Sequence, residues 1–304
     1  MSADRLAAEL SGIPGVEVKS GEPLARYTSF KVGGPADCFV EAHTKTGLSA
    51  CLELVARHAE PMLLLGNGSN VLVSDRGVRG AVLRLRGEFR RVRWLGDGAR
   101  VGAACAVSRL VREAVRRDLG GLEFAEGIPG SVGGSLVMNA GAYGSEMERV
   151  VTRVEGLTAA GAPLALGRHE LHFAYRETRL PAGAVVTRVD LALTPDAPAV
   201  AETRMREIMV RRRASQPSGR PNFGSVFRNP PGDHAGRLIE AAGLKGLRVG
   251  HAEVSPHHAN FIQNLGGARA EDVWRLIEQV RAAVESRFAV TLQPEVRFVG
   301  EWLR

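Results

Sequence analysis

The stretch from Gly127 to Ser145 constrains most tightly what this chain can fold into. It holds six glycines, at 127, 130, 133, 134, 141 and 144, with a proline at 129 and no charged side chain. Its length would suit a membrane span, yet each glycine weakens a helix by roughly 1 kcal/mol relative to alanine. No lipid-facing helix fits such a stretch. A flexible linker would not carry Ile128, Val132, Leu136, Val137 and Met138 between the glycines. What fits is backbone pressed against a large flat or phosphorylated ligand, because glycine permits close approach and left-handed angles.

The remaining composition is that of a soluble globular protein: 304 residues, 44% hydrophobic, 24% charged, mean hydropathy -0.06. That length admits two or three domains and a sizeable core. The N-terminal MSADRLAAEL has no apolar signal core, so a cytoplasmic protein without membrane partners is expected. The net charge of +7 comes with 36 arginines against 4 lysines. The densest basic run, Arg211–Arg213, ends a helical pattern, where cations meet the negative end of the helix dipole. Aromatic residues are only 5% and scattered, which argues against a stacking surface for nucleic acid. Phosphate-bearing small molecules are the expected partners. Cys38, Cys51 and Cys105 lack metal-like or redox-like spacing and read as buried free thiols. His251, His257 and His258 have no acidic or thiol partner at ligand spacing, so no metal site is expected.

Hydrophobic periodicity predicts strands at 36–42, 62–65, 81–85, 91–104 (turning at Gly96–Gly98), 150–158 and 184–194. It predicts helices at 47–59, 106–119, 200–213, 235–242 and 271–288. The last carries Val273, Ile277, Val280, Val284 and Phe288 on one stripe. Pro195–Pro198 reads as a linker, and 290–299 as a closing strand. This is an α+β chain of at least two lobes, the second starting near residue 200.

Neither a P-loop nor a dinucleotide-binding glycine fingerprint occurs. Gly66–Asn70 follows a short strand, and its amides could converge on an anion; an ordinary tight turn fits the same residues. Tyr175–Arg176 offers a hydroxyl and a planar cation to a carboxylate, or a solvated salt bridge. Ser225 follows Gly224 within Asn222–Pro230, outside any nucleophile elbow, which disfavours a hydrolase serine. Glu295 and Arg297 would share one face of a strand, as ligand contacts or as a plain ion pair.

Taken in order, seven segments resemble one family, the UDP-N-acetylenolpyruvoylglucosamine reductases of peptidoglycan precursor synthesis. They are Tyr27–Ala36, Leu65–Asn70, Gly127–Gly134, Asn139–Gly144, Tyr175–Arg176, Gly224–Pro230 and Pro294–Arg297. The resemblance implies an α+β fold of the vanillyl-alcohol-oxidase type, with FAD-binding subdomains at 1–80 and 81–197. A substrate lobe would occupy 198–304, its final strand 290–299 returning to the flavin site. Non-covalent FAD would be held by Gly66, Asn67, Gly68, Ser69 and Asn70, and by Ile128, Pro129, Gly130, Gly133 and Gly134. Asn139, Ala140, Gly141 and Arg297 would complete that set. NADPH would be the co-substrate, and the enolpyruvyl ether of a UDP-linked amino sugar the acceptor. Arg176 and Glu295 would stabilise charge, Ser225 would protonate the α-carbon, and Tyr175, Gln216 and Asn229 would contact the substrate. The short run from Arg176 to Val185 resembles the shorter class of the family, which lacks an extra substrate-closing loop, and a monomer is expected. A covalent flavin oxidase is the rival within the fold; no His or Cys in the glycine loops supports it.

Overall fold

The computed structural model describes residues 3–302, which divide into two compact units. One comprises residues 3–20, 38–67 and 80–212; the other comprises 21–37, 68–79 and 213–302. Each has its own buried apolar core.

In the first unit, helix Val107–Val115 buries Val107, Leu110, Val111, Ala114 and Val115, a spacing of threes and fours that makes one apolar face. The helix ends earlier than its periodicity predicts, because Asp118 turns left-handed at φ 54°. Leu119–Gly120 then leave as a short strand paired antiparallel with Thr194–Pro195. Asp196 donates its N–H to Asp118 O at 2.8 Å. Arg204 bridges the Asp196 carboxylate at 2.6 Å and the buried Glu123 at 3.1 Å. The expected linker is therefore a pinned segment from which helix Val200–Ser215 starts.

A five-stranded antiparallel sheet takes the order Pro163–Gly167, Val151–Leu157, Val185–Ala192, Gly98–Gly102, Val92–Leu95. A four-stranded sheet takes the order Val16–Pro23, Pro35–Ala42, Val78–Leu85, Met62–Leu64, its last pair parallel. Helix Lys45–Arg57 starts at Thr44, whose hydroxyl accepts the Gly47 N–H at 3.1 Å. All three cysteines are buried and free. Burial pushes the Cys51 thiol up to about 12 and that of Cys105 to about 11, which keeps both protonated and unreactive. The glycine-rich stretch breaks into a short helix, Val132–Val137, and a small hairpin, Gly141–Ala142 with Ser145–Glu146. Among the described residues no helix is long and apolar enough to cross a membrane.

The second unit is organised by helix Ala270–Phe288, which buries Ala270, Val273, Leu276, Ile277, Val280 and Val284; Phe288 is only partly covered. Its first turn is capped from far upstream: the Asp75 carboxylate accepts from Ala270 N at 2.9 Å and Glu271 N at 3.1 Å. Beside it lie helix Ala235–Ala241 and a three-stranded sheet of Arg248–Val249, Ala252–Val254 and Ile262–Asn264. Residues 290–299 do not form one strand. Only Arg297–Val299 does, running parallel to Val71–Val73, while Pro294 lacks an N–H for a ladder and makes an isolated bridge with Phe227. Ile277 is fully buried, so Ile277→Ala should cost about 2–5 kcal/mol of stability in a urea titration. A loss under about 1 kcal/mol would contradict this core.

Candidate active site

Within the first unit the two glycine segments come together. A Cβ on Gly66 would lie 2.8 Å from the Ser131 Oγ, and one on Gly133 would lie 2.9 Å from the Ala103 Cβ. Ser131 is buried and starts helix Val132–Val137, its hydroxyl accepting the Gly134 N–H at 3.3 Å. Gly130 takes φ 151°, open to glycine and costly for other residues. In the second unit, Gly68 turns left-handed at φ 62°, and a Cβ there would collide with Tyr27 O. Among the described residues, the backbone N–H groups of Gly66, Asn67, Gly68, Gly130 and Ser131 have no hydrogen-bond partner. Such amides are donors for anionic oxygens.

Tyr175 and Arg176 form the two-residue tip of a hairpin that pairs Phe173–Ala174 with Glu177–Thr178. Arg176 sits at φ 58°, a region that a non-glycine residue keeps only when its surroundings hold it there. Its guanidinium carbon lies 5.1 Å from the centre of the Tyr175 ring. Asn139 is 0% exposed and itself left-handed at φ 38°. Its Nδ2 donates to Ala174 O at 3.1 Å and its Oδ1 accepts the Glu148 N–H at 3.0 Å. The Asn139 side chain, expected beside the flavin, is thus engaged with protein on both sides. Ala140 and Gly141 lead on into the small hairpin.

Arg212 was not singled out by the sequence, where it stands inside the 211–213 run. Its Cδ and Nε would lie 2.7 Å from a Cβ on Gly127, so it packs directly on the glycine segment. Burial holds the guanidinium below the usual arginine range, and a hydrogen bond from it to the Tyr143 hydroxyl opposes that shift.

In the second unit, the Asn222 Oδ1 accepts the Gly224 N–H at 2.9 Å, and Gly224 at φ 80° turns the chain into Ser225. The next two peptides are locked. Val226 donates to Asn260 O at 2.9 Å and accepts from Glu295 N at 2.7 Å. Phe227 has both backbone groups bonded by the buried Asn260 amide, each at 2.9 Å. Ser225 and Glu295 therefore stand on adjacent backbone segments. Asn70 joins them: its Nδ2 donates to Glu295 O at 3.0 Å and its carbonyl accepts the Arg297 N–H at 3.1 Å. Glu295 precedes the strand that Arg297 opens, so the two do not share a strand face as expected. The Asn229 Oδ1 accepts from Ala235 N at 3.1 Å. Gln216 is half-buried just past the end of helix Val200–Ser215. Sequence reasoning missed Asn260, which follows no motif. Among the described residues no group of three His, Cys, Asp or Glu side chains could hold a metal.

A model of an FAD binding domain matches residues 36–167, and a model of the UDP-N-acetylenolpyruvoylglucosamine reductase C-terminal domain matches residues 216–299. UDP-N-acetylenolpyruvoylglucosamine reductase 2 of Symbiobacterium thermophilum is 52% identical over 284 residues, 93% of this chain and 92% of that protein. The chain belongs to the UDP-N-acetylenolpyruvoylglucosamine reductase family. A reductase of the same name from Anaeromyxobacter dehalogenans is 50% identical over 92% of this chain and 85% of its own. The crystal structure of UDP-N-acetylenolpyruvylglucosamine reductase from Thermus caldophilus matches with a TM-score of 0.82 at 41% identity. That match covers 93% of this chain and 98% of the other. The reductase family makes the chain an FAD-dependent oxidoreductase of α+β fold, as the resemblance implied. Within the first unit, the partnerless amides at 66–67 and 130–131 fit the diphosphate of that cofactor.

One titratable group bears on the Ser225 segment. The Asn260 N–H donates to the His258 Nδ1 at 3.2 Å, which requires that nitrogen to be unprotonated. Burial, helped by Lys245 and His257 and opposed by a hydrogen bond to its own backbone and by Glu240, holds His258 below its ordinary 6.5. The unfolded chain then binds this proton more readily than the folded one. Stability is full above about pH 6.5 and is lost as pH falls toward the lower folded value. Replacing His258 by Gln should flatten the acid limb of stability measured by urea titration between about pH 7 and about pH 5. An acid limb unchanged by the substitution contradicts this role.

Proposed function

We propose that the chain is a cytoplasmic, NADPH-dependent reductase of the enolpyruvyl group of UDP-N-acetylglucosamine enolpyruvate, forming UDP-N-acetylmuramate for peptidoglycan. The observation that carries the reading is the 52% identity to a reductase of that name over 93% of the chain. The adjacency of Ser225 and Glu295 through the Val226 carbonyl supports it. FAD, when bound, would supply the hydride chemistry that links oxidation of NADPH to reduction of the enolpyruvyl double bond.

The chain's own residues do the rest. Within the first unit, the amides of Gly66, Asn67, Gly130 and Ser131 would receive the cofactor's diphosphate, and Ile128, Pro129, Gly133, Gly134, Ala140 and Gly141 would also hold the cofactor; Gly68, Ser69, Asn70 and Arg297 are the second unit's candidates for the same cofactor. Arg176, on its hairpin tip in the first unit, pairs its planar fork with the substrate carboxylate, where charge builds as the double bond is reduced. In the second unit, Glu295, protonated or as a hydrogen-bonding group, is the residue proposed to stabilise charge. The Ser225 hydroxyl gives its proton to the α-carbon, completing the reduction. A serine is a weak acid, so its role depends on being held in place, which the locked peptides of Val226 and Phe227 provide. Tyr175, beside Arg176, is offered to the substrate; in the second unit, Gln216 and the Asn229 Nδ2, whose Oδ1 is taken by Ala235, are offered to the UDP portion.

Proton donation is needed only when the enolpyruvyl carbon is reduced. Ser225→Ala should leave NADPH-driven bleaching of the flavin near normal in stopped-flow absorbance. It should slow reoxidation by the enolpyruvyl substrate by about 10²-fold or more, the usual scale for a positioned acid. Ser225→Cys should recover part of that loss. Equal slowing of both steps by the alanine variant would make the serine structural, and no slowing would remove it from the reaction.

A further inference from the structure

We propose that Asn139 is a positioning residue for Arg176: its buried amide hooks the hairpin that carries the guanidinium. The inference rests on the reading of Arg176 given above. Two left-handed non-glycine residues, Asn139 at φ 38° and Arg176 at φ 58°, are joined through one hydrogen bond. That bond runs from the Asn139 Nδ2 to Ala174 O, one residue before the tip, at 3.1 Å. The other end of the amide is fixed by the Glu148 N–H at 3.0 Å, so the side chain cannot rotate without breaking both bonds. A second hook closes the far side of the tip: the Thr178 hydroxyl donates to Leu136 O at 2.6 Å. Both Asn139 and Thr178 are buried, where an unmet polar group is expensive and a met one is firmly held. The glycine-rich segment thereby sets the geometry of the arginine fork, and a bidentate carboxylate clamp is sensitive to displacements of about 1 Å.

The residue type suits the task. Asparagine tolerates left-handed φ better than other side chains and presents a donor and an acceptor at once. An ionised aspartate keeps the shape and the acceptor but loses the donor toward Ala174 O. A protonated aspartate restores that donor. Burial raises a carboxyl's pKa, so the exchange falls within a measurable range.

The test uses flavin-loaded enzyme in stopped-flow half-reactions. At about pH 8, Asn139→Asp should slow reoxidation by the enolpyruvyl substrate by about 10²-fold, with flavin content and NADPH-driven reduction near native. The deficit relative to native enzyme should shrink as pH falls toward about 6, as the carboxyl becomes neutral. Thr178→Val, which cuts only the second hook and adds no charge, should slow the same step by about tenfold with no new pH dependence. Arg176→Lys, made alongside, should slow reoxidation, and adding Asn139→Asp to it should cost little more, as expected for residues acting as a unit. If Arg176→Lys leaves reoxidation unchanged, the reading of Arg176 itself falls. If Arg176→Lys slows it but Asn139→Asp and Thr178→Val do not, this inference alone is overturned. Loss of flavin from Asn139→Asp with normal reoxidation in the remaining holoenzyme would make Asn139 a cofactor residue and overturn it too. Should Asn139→Asp fail to fold, Thr178→Val combined with Arg176→Lys decides by the same non-additivity.

Discussion

Backbone packed where a Cβ has no room is the constraint on which the candidate site depends. Gly133 against Ala103, Gly66 against Ser131 and Gly127 against Arg212 each leave less than 3 Å for a side-chain carbon. A Cβ at Gly133 would press on Ala103, whereas at Gly127 it would displace the flexible Arg212 side chain. Close packing of this kind takes up carbonyls and side-chain space while leaving five amides, at 66–68 and 130–131, without partners among the described residues. Gly68 and Ser131 are buried residues, and an unmet buried amide costs about 1–3 kcal/mol. Anionic ligand oxygens remove that penalty. The same glycine-rich segment ends in Asn139, whose side-chain amide bonds the hairpin that carries Arg176.

The second unit solves a similar problem with side-chain amides. Asn260 reads both groups of Phe227 as a neighbouring strand would, and Asn70 ties Glu295 and Arg297 to the segment that pairs with the C-terminal strand. Between them, these bonds hold the backbone segments on which Ser225 and Glu295 stand.

Elements whose folding is decided by near neighbours were legible in the sequence. Val107, Leu110, Val111, Ala114 and Val115 predict their helix by spacing, and Ala270–Phe288 lies within a residue of its expected bounds. Where a distant partner decides, the sequence was silent. The pairing of Val71–Val73 with Arg297–Val299, the Asp75 cap on the long helix, and the pinning of Asp196 by Arg204 all join residues that no local pattern connects. The site divides the same way. Glycines and the Tyr–Arg and Gly–Ser motifs mark chemistry through residue type, whereas Asn260 and Thr178 matter only for what they touch. Asn139 stood in a visible motif, yet its side chain bonds Ala174, 35 residues away, and Glu148.

We propose that the amides of Gly66, Asn67, Gly130 and Ser131, all in the first unit, are the seat of the cofactor's diphosphate. Amide hydrogen exchange of the flavin-free protein, repeated after adding FAD, tests it without any turnover. Exchange at residues 66–67 and 130–131 should slow markedly on FAD binding. FAD that binds while exchange at both segments stays unchanged would contradict the account.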